Sequence, residues 1–250
     1  MIRFRNMLRL RGTVRAKTLR LAAASALLLG ATVVPFVHAK SAAEKKSGSG
    51  IVPDKGKFKI LVNGQAMGKE EFEISSLGGN WLAHGNSEIE TPQGVTKVTG
   101  SLTLGPTGEP VHYDWSTQGT KKASAAISFS ASVASAELHL EGARPYTQQF
   151  TFNSPMIIVL DDNLYHQYEI LAGLYDMDKK GPQTFAVLVP QELTPGNVVL
   201  EALGKQDVDG KKLEELRVKT EDNEIDLYME GSKLLRLVAP AANAEVIREP

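Results

Sequence analysis

Between residues 58 and 152 apolar and polar side chains alternate with a period of two, and turn residues break the alternation at short intervals. A helix needs apolar residues three or four apart, so this pattern confines the segment to β-structure with one buried face. Phe58, Ile60 and Val62 share a face ahead of Asn63-Gly64, a pair suited to the positive backbone angles of a two-residue hairpin. Phe72 and Ile74 resume the alternation, and Gly78-Gly79 makes the next break. Thr91-Pro92-Gln93-Gly94 and Gly105-Pro106-Thr107-Gly108 separate strands expected over 81–90, 95–104 and 110–117. Residues 123–133 read as one strand, with Ala125, Ile127, Phe129, Ala131 and Val133 inward and Ser124, Ser128, Ser130 and Ser132 outward. Strands about Leu138 and Leu140, and about Phe150 and Phe152, follow. The result is an antiparallel meander whose dry face must be covered.

The cover is expected at residues 161–176, the one stretch with the pattern of a long helix. Residues 156–160, apolar on both faces, lead into it, and Asp161 or Asp162 is the expected N-cap of a helix over about 162–175. At about 100° per residue, Leu164, Tyr165, Tyr168, Leu171, Ala172 and Tyr175 fall in one wide arc. Asp162, His166, Glu169 and Gly173 occupy the narrow remainder. A surface helix has a broader polar face, so this one should be enclosed, with only the Asp162/His166/Glu169 stripe reaching water or a cavity. Beyond it, 185–189 is again apolar on both faces, and strands over 198–203, 213–220, 224–229 and 234–238 turn at Asp209-Gly210, Asp222-Asn223 and Glu230-Gly231. The expected fold is mainly β with one principal α-helix: a strongly curved antiparallel sheet, or half-barrel, wrapped around a single long helix in one domain over 58–250.

Residues 1–20 carry seven Lys and Arg and no acid, 21–36 are apolar but interrupted by Gly30 and Pro35, and Val37-His38-Ala39 presents small residues for cleavage. This is the layout of a signal peptide over 1–39, cut near Ala39 and followed by a flexible linker over 40–57. The protein is therefore expected in the periplasm or secreted, touching a membrane only through an uncleaved signal segment. Without those seven cations, 21 Lys and Arg face 29 Asp and Glu, a formal balance of −8. An acidic protein lacks the basic patch that nucleic acid requires. The chain has no cysteine, so neither disulfides nor an acylated N-terminal Cys can contribute.

The opening Phe58-Lys59-Ile60-Leu61-Val62-Asn63-Gly64, continued by 68–74, is similar to the first hairpin of uncharacterised exported families, and over 58 to about 248 the organisation resembles the half-barrel of LolA-type periplasmic lipoprotein carriers. That resemblance implies a concave sheet that accepts acyl chains. LolA-type carriers usually distribute the plug over more than one helix, whereas one long helix is expected here.

No Gly-x-Ser-x-Gly elbow, Cys nucleophile, His-Glu-x-x-His or phosphate-cradling loop occurs. The expectation is a non-enzymatic protein that binds a lipid or another apolar or amphipathic molecule, with no cofactor and no metal. Tyr113, Trp115, Tyr165, Tyr168 and Tyr175 are the candidate ligand-binding residues, since all should face the space between sheet and helix. Core packing is the alternative reading of the same five. Asp162, His166 and Glu169, at i, i+4 and i+7, form a candidate polar stripe that could serve a hydrolase. An envelope scaffold binding protein partners is the other alternative. His112 and His139 are expected on the wet face, and His84, near Trp81 in a Gly-rich neighbourhood, in a surface role and not in catalysis.

Overall fold

Two meanders joined along one seam make up the described part of the protein. The computed structural model describes residues 50–119 and 122–250, so the expected signal peptide and most of the expected linker lie outside the described residues. The first meander contains β1 (Asp54–Val62), β2 (Gln65–Leu77), β3 (Asn80–Thr91), β4 (Gly94–Leu104), β5 (Pro110–Gln118), β6 (Ala123–Ser130), β7 (Val133–Leu140) and β8 (Tyr146–Thr151). After β9 (Ile157–Val159) and α1 (His166–Gly173), the second contains β10 (Gln183–Val189), β11 (Thr194–Val208), β12 (Lys211–Lys219), β13 (Glu224–Glu230), β14 (Lys233–Ala239) and β15 (Ala244–Arg248). Among the described residues all fifteen strands form one sheet, in the order β8-β7-β6-β5-β4-β3-β2-β1-β15-β14-β13-β12-β11-β10-β9. The seam is the antiparallel β1–β15 pair, which sets Phe58 opposite Arg248 and Val62 opposite Ala244. Every ladder is antiparallel except β9–β10, which is parallel. β9 ends the sheet, yet its three residues are all buried.

The described residues are mainly β and form one large, curved and open sheet, and the period-two pattern accounts for its strands. Several elements differ from expectation. Strand β1 starts at Asp54 and Ile51 is only 5% exposed, so ordered packing begins ahead of the expected boundary at 58. Gly50 lies against the end of the helix, where an added Cβ would come within 2.5 Å of the Gly173 carbonyl oxygen. The expected strand over 123–133 is two strands, with a turn at residues 131–132 and Ala131 at φ 50°. The two-residue turn switches the inward parity from Ala125 and Ile127 to Ala134, Ala136 and Leu138. The β15 strand was not expected.

The helix is also shorter than the expected 162–175. It spans eight residues, because Asn163 at φ 65° ends any helical run before it. Asp161 does not cap it. Its carboxylate instead accepts the Asp162 and Gln191 N–H groups at 3.1 and 2.9 Å, which ties the entering loop to the turn after β10. Residues 166–172 are all buried, against the inner face of the sheet.

Candidate functional site

The inner face carries a row of small residues beneath the helix. Reading across the ladders, Gly56 pairs with Phe72, Phe72 with Gly85, Gly85 with Gly100, and Gly100 with Trp115. A Cβ on Gly85 would lie 2.5 Å from His166 Cε1, and one on Gly100 would lie 2.5 Å from Leu164 Cδ1 and 2.8 Å from the Tyr113 hydroxyl. The glycines thus let the helix and the loop before it approach the sheet backbone.

Glu70 stands two residues along β2 from Phe72 in that row, at an inward position, and is fully buried. Its Oε2 accepts the Tyr165 N–H at 2.7 Å, and its Oε1 lies 2.5 Å from His166 Nδ1. Glu70 therefore supplies from another strand what a local N-cap would supply: a carboxylate for a free amide and for the positive end of the helix. The His166 ring stacks on Phe72 at 5.7 Å and 10°, and Phe72 stacks on Phe58 at 4.9 Å and 13°. The Arg248 guanidinium closes the column, 5.3 Å from the Phe72 centroid and 5.9 Å from that of Phe58.

Arg248 also anchors the far side of the helix. Its Nη1 is 2.7 Å from Asp54 Oδ2 and 3.4 Å from Glu169 Oε2, which also accepts the Leu234 N–H at 3.0 Å. Lys233 Nζ is 3.6 Å from Asp54 Oδ1. Burial pushes the Glu169 carboxyl up to about 8, with the Leu234 N–H opposing and Asp54 adding to the rise. Asp54 moves the other way. Its burial is outweighed by its hydrogen bonds to Arg248 and Glu169, which hold it below the ordinary value.

A third polar group ties the loop at residues 161–165 to the sheet. Tyr113 donates to Asp161 Oδ2 at 2.8 Å, Gln167 Nε2 donates to the Tyr113 oxygen at 3.3 Å, and the Asp161 N–H donates to Gln167 Oε1 at 2.6 Å. Burial raises Asp161 to about 6, against the hydrogen bonds from Gln191 and Tyr113.

The expected stripe does not form a joint site. His166 is 0% exposed and bound to Glu70, Glu169 is 4% exposed and bound to the β14–β15 side, and half-buried Asp162 belongs to the entering loop. Among the described residues no group of three or more His, Asp or Glu side chains is placed to hold a metal ion. Tyr113, Trp115, Tyr165, Tyr168 and Tyr175 all lie in the core, each at most 6% exposed. Tyr175 is anchored by donating to the Gly181 carbonyl at 2.7 Å and accepting the Ala202 N–H at 3.3 Å. The Tyr165 hydroxyl, Trp115 Nε1 and His166 Nε2 have no hydrogen-bond partner in the structure. His84, His112 and His139 lie on the outer face, where His84, Asp114 and His139 border a concavity of about 290 Å³ floored by Ser and Ala.

Sequence reasoning missed Glu70, Arg248, Asp54 and the glycine row. Glu70 shares the inward parity of Phe72 and Ile74, Arg248 that of Val246, and Gly85 and Gly100 those of Ala83 and Leu102, so the signal lay in the face these residues occupy.

No protein-family model and no curated protein sequence matches the chain. A solved structure does: the beta-barrel-like protein of domain of unknown function DUF1849 from Brucella abortus, at 9% identity and a TM-score of 0.51, covers 79% of this chain and 95% of its own. At that identity the likeness concerns the fold, and it supports a barrel-like arrangement of the sheet.

Proposed function

We propose that this is an exported, non-enzymatic protein that binds a hydrophobic or amphipathic ligand, such as a lipid or a lipoprotein acyl chain, on the inner face of its sheet. One observation carries the reading: the inner face is covered by an eight-residue helix that is entered and left through loops, and not by a second sheet. Helices shorter than about 12–15 residues are marginal on their own, so this one owes its existence to docking. Its release would be a local event that leaves the strand ladders intact. The vacated surface would be apolar and aromatic, including Tyr113 and Trp115 on β5, while Tyr165, Tyr168 and Tyr175 belong to the helix and its flanks and would move with it. Ten methylenes buried there would contribute about 8 kcal/mol before ordering costs, which corresponds to micromolar binding. The half-barrel of LolA-type carriers is the fold analogy that agrees with this use, and export follows from the signal-like first 39 residues.

The test is native mass spectrometry on protein purified from its own envelope fraction, combined with titration of the neutral probe N-phenyl-1-naphthylamine. Copurified lipid, or probe fluorescence that lipid competes away, is the expected result. An empty protein that leaves the probe dark would overturn the reading.

A second reading, an envelope scaffold, rests on β8. This strand ends the sheet, and its Tyr-Thr-Gln-Gln-Phe-Thr sequence contains no charge or Pro to discourage pairing. An extended segment of an envelope protein could add to it. A photo-crosslinker at Thr147 that captures one defined protein, with no lipid bound, would favour this alternative.

A further inference from the structure

The seat of the Glu169 carboxyl has a chemistry of its own. Two buried acids share one guanidinium there: Asp54 and Glu169, with side chains 3% and 4% exposed, both contact Arg248 Nη1. Asp54 also accepts from Arg248 Nη2 at 2.9 Å, and Glu169 from the Leu234 N–H at 3.0 Å. Glu169 Oε1 is buried and has no hydrogen-bond partner in the structure, while Asp54 Oδ2 is met by Arg248 Nη1 at 2.7 Å in an ion pair. Two carboxylates at one cation repel each other, and a single proton held between them relieves the repulsion and supplies the partner that Glu169 Oε1 lacks. The charged groups facing the seat are Asp54 on β1, Lys233 on β14 and Arg248 on β15, while His166 on the adjoining turn of α1 is engaged by Glu70 on β2.

Building on the proposed displacement of the helix, we propose that the Glu169 seat takes the headgroup of a long-chain carboxylic acid, with Glu169 as its internal stand-in. The Leu234 N–H and Arg248 would receive one carboxyl oxygen, and the other would share a proton with Asp54. Phe58 and Phe72 would flank the first methylenes. A permanent anion such as a sulfate ester cannot share a proton with Asp54 and would meet its negative charge directly. A neutral sugar headgroup would leave Arg248 with Asp54 alone. The site therefore selects a titratable acid over both.

The experiment titrates the full-length protein with dodecanoate, dodecyl sulfate and dodecyl maltoside, each below its aggregation concentration, at pH 6 and pH 9. Circular dichroism at each endpoint checks that the fold persists. Dodecanoate should bind at least about tenfold more tightly than the other two at pH 6, and the preference should shrink at pH 9. Asp54→Asn should raise dodecyl sulfate affinity to the level of dodecanoate, and Glu169→Gln should preserve the headgroup order. Equal binding of all three ligands would overturn the headgroup seat while leaving the apolar interior standing. Binding of none would overturn both.

Discussion

Glu70 shows how much one residue can organise. An acid on the buried face of a strand is costly unless its oxygens are met, and here the Tyr165 N–H and the His166 ring meet them. Removing it leaves a buried imidazole and a helix amide without partners. Glu70→Ala should lower stability by about 3–5 kcal/mol, the usual cost of breaking a buried pair from one side. Glu70→Gln should cost less, because its amide oxygen still accepts from Tyr165. Urea unfolding of the two variants measures both, and equal losses would show that hydrogen-bond shape, and not charge, is without importance at this position. Glu70 was legible in principle: parity with Phe72 and Ile74 put a carboxylate indoors. A helical wheel drew attention to His166 and Glu169 instead, because a wheel sees one element and not the strand beneath it.

At the scale of elements, the strands were largely readable and the helix was not. Turn pairs such as Asn63-Gly64, Gly78-Gly79 and Asp209-Gly210 lie where hairpins reverse, because their backbone angles leave little choice. The 130–133 turn, built from Ser, Ala and Val, carries no such mark, so two strands looked like one. Helix length failed for a related reason: the apolar arc continues through Leu164 and Tyr165, but Asn163 and the hydrogen bonds of Asp161 hold the entering loop in another conformation. The glycine row makes the helix seat testable. Neither Gly85 nor Gly100 has a positive φ, so Ala substitution acts through space alone. Each added methyl should destabilise the protein by about 1–3 kcal/mol by overpacking against His166 or Leu164. Thermal melts of both variants check this, and a neutral Gly85→Ala would mean that the helix is not held tightly against the row.

For the whole molecule, the decisive pairing joins the two ends of the described domain. The β1–β15 ladder brings Phe58 to Arg248, and no local pattern in a five-residue terminal segment announces a partner so far back in sequence. The same seam makes stability depend on pH, because Arg248 brings the helix acid Glu169 to Asp54. Glu169 is raised to about 8 and Asp161 to about 6 in the folded protein, from ordinary values of 4.5 and 3.8. A carboxyl whose folded pKa is raised binds its proton more tightly when folded. Its contribution is complete below the unfolded value and is lost as pH rises through the folded one. Each group then removes up to about 1.4 kcal/mol per pH unit inside its window, from roughly pH 4 to 6 for Asp161 and 4.5 to 8 for Glu169. Asp54, held low, acts oppositely and erodes stability only at more acid pH. Urea midpoints should therefore be highest near pH 4–5 and decline toward pH 8. Glu169→Gln, which cannot ionise, should lessen the decline between pH 6 and 8, leaving there the share of Asp162, which burial and the Asp161 charge also push up to about 8, and leaving the Asp161 part below it. A wild-type midpoint independent of pH across that upper window would show that the Glu169 and Asp162 carboxyls are already ionised in the folded protein.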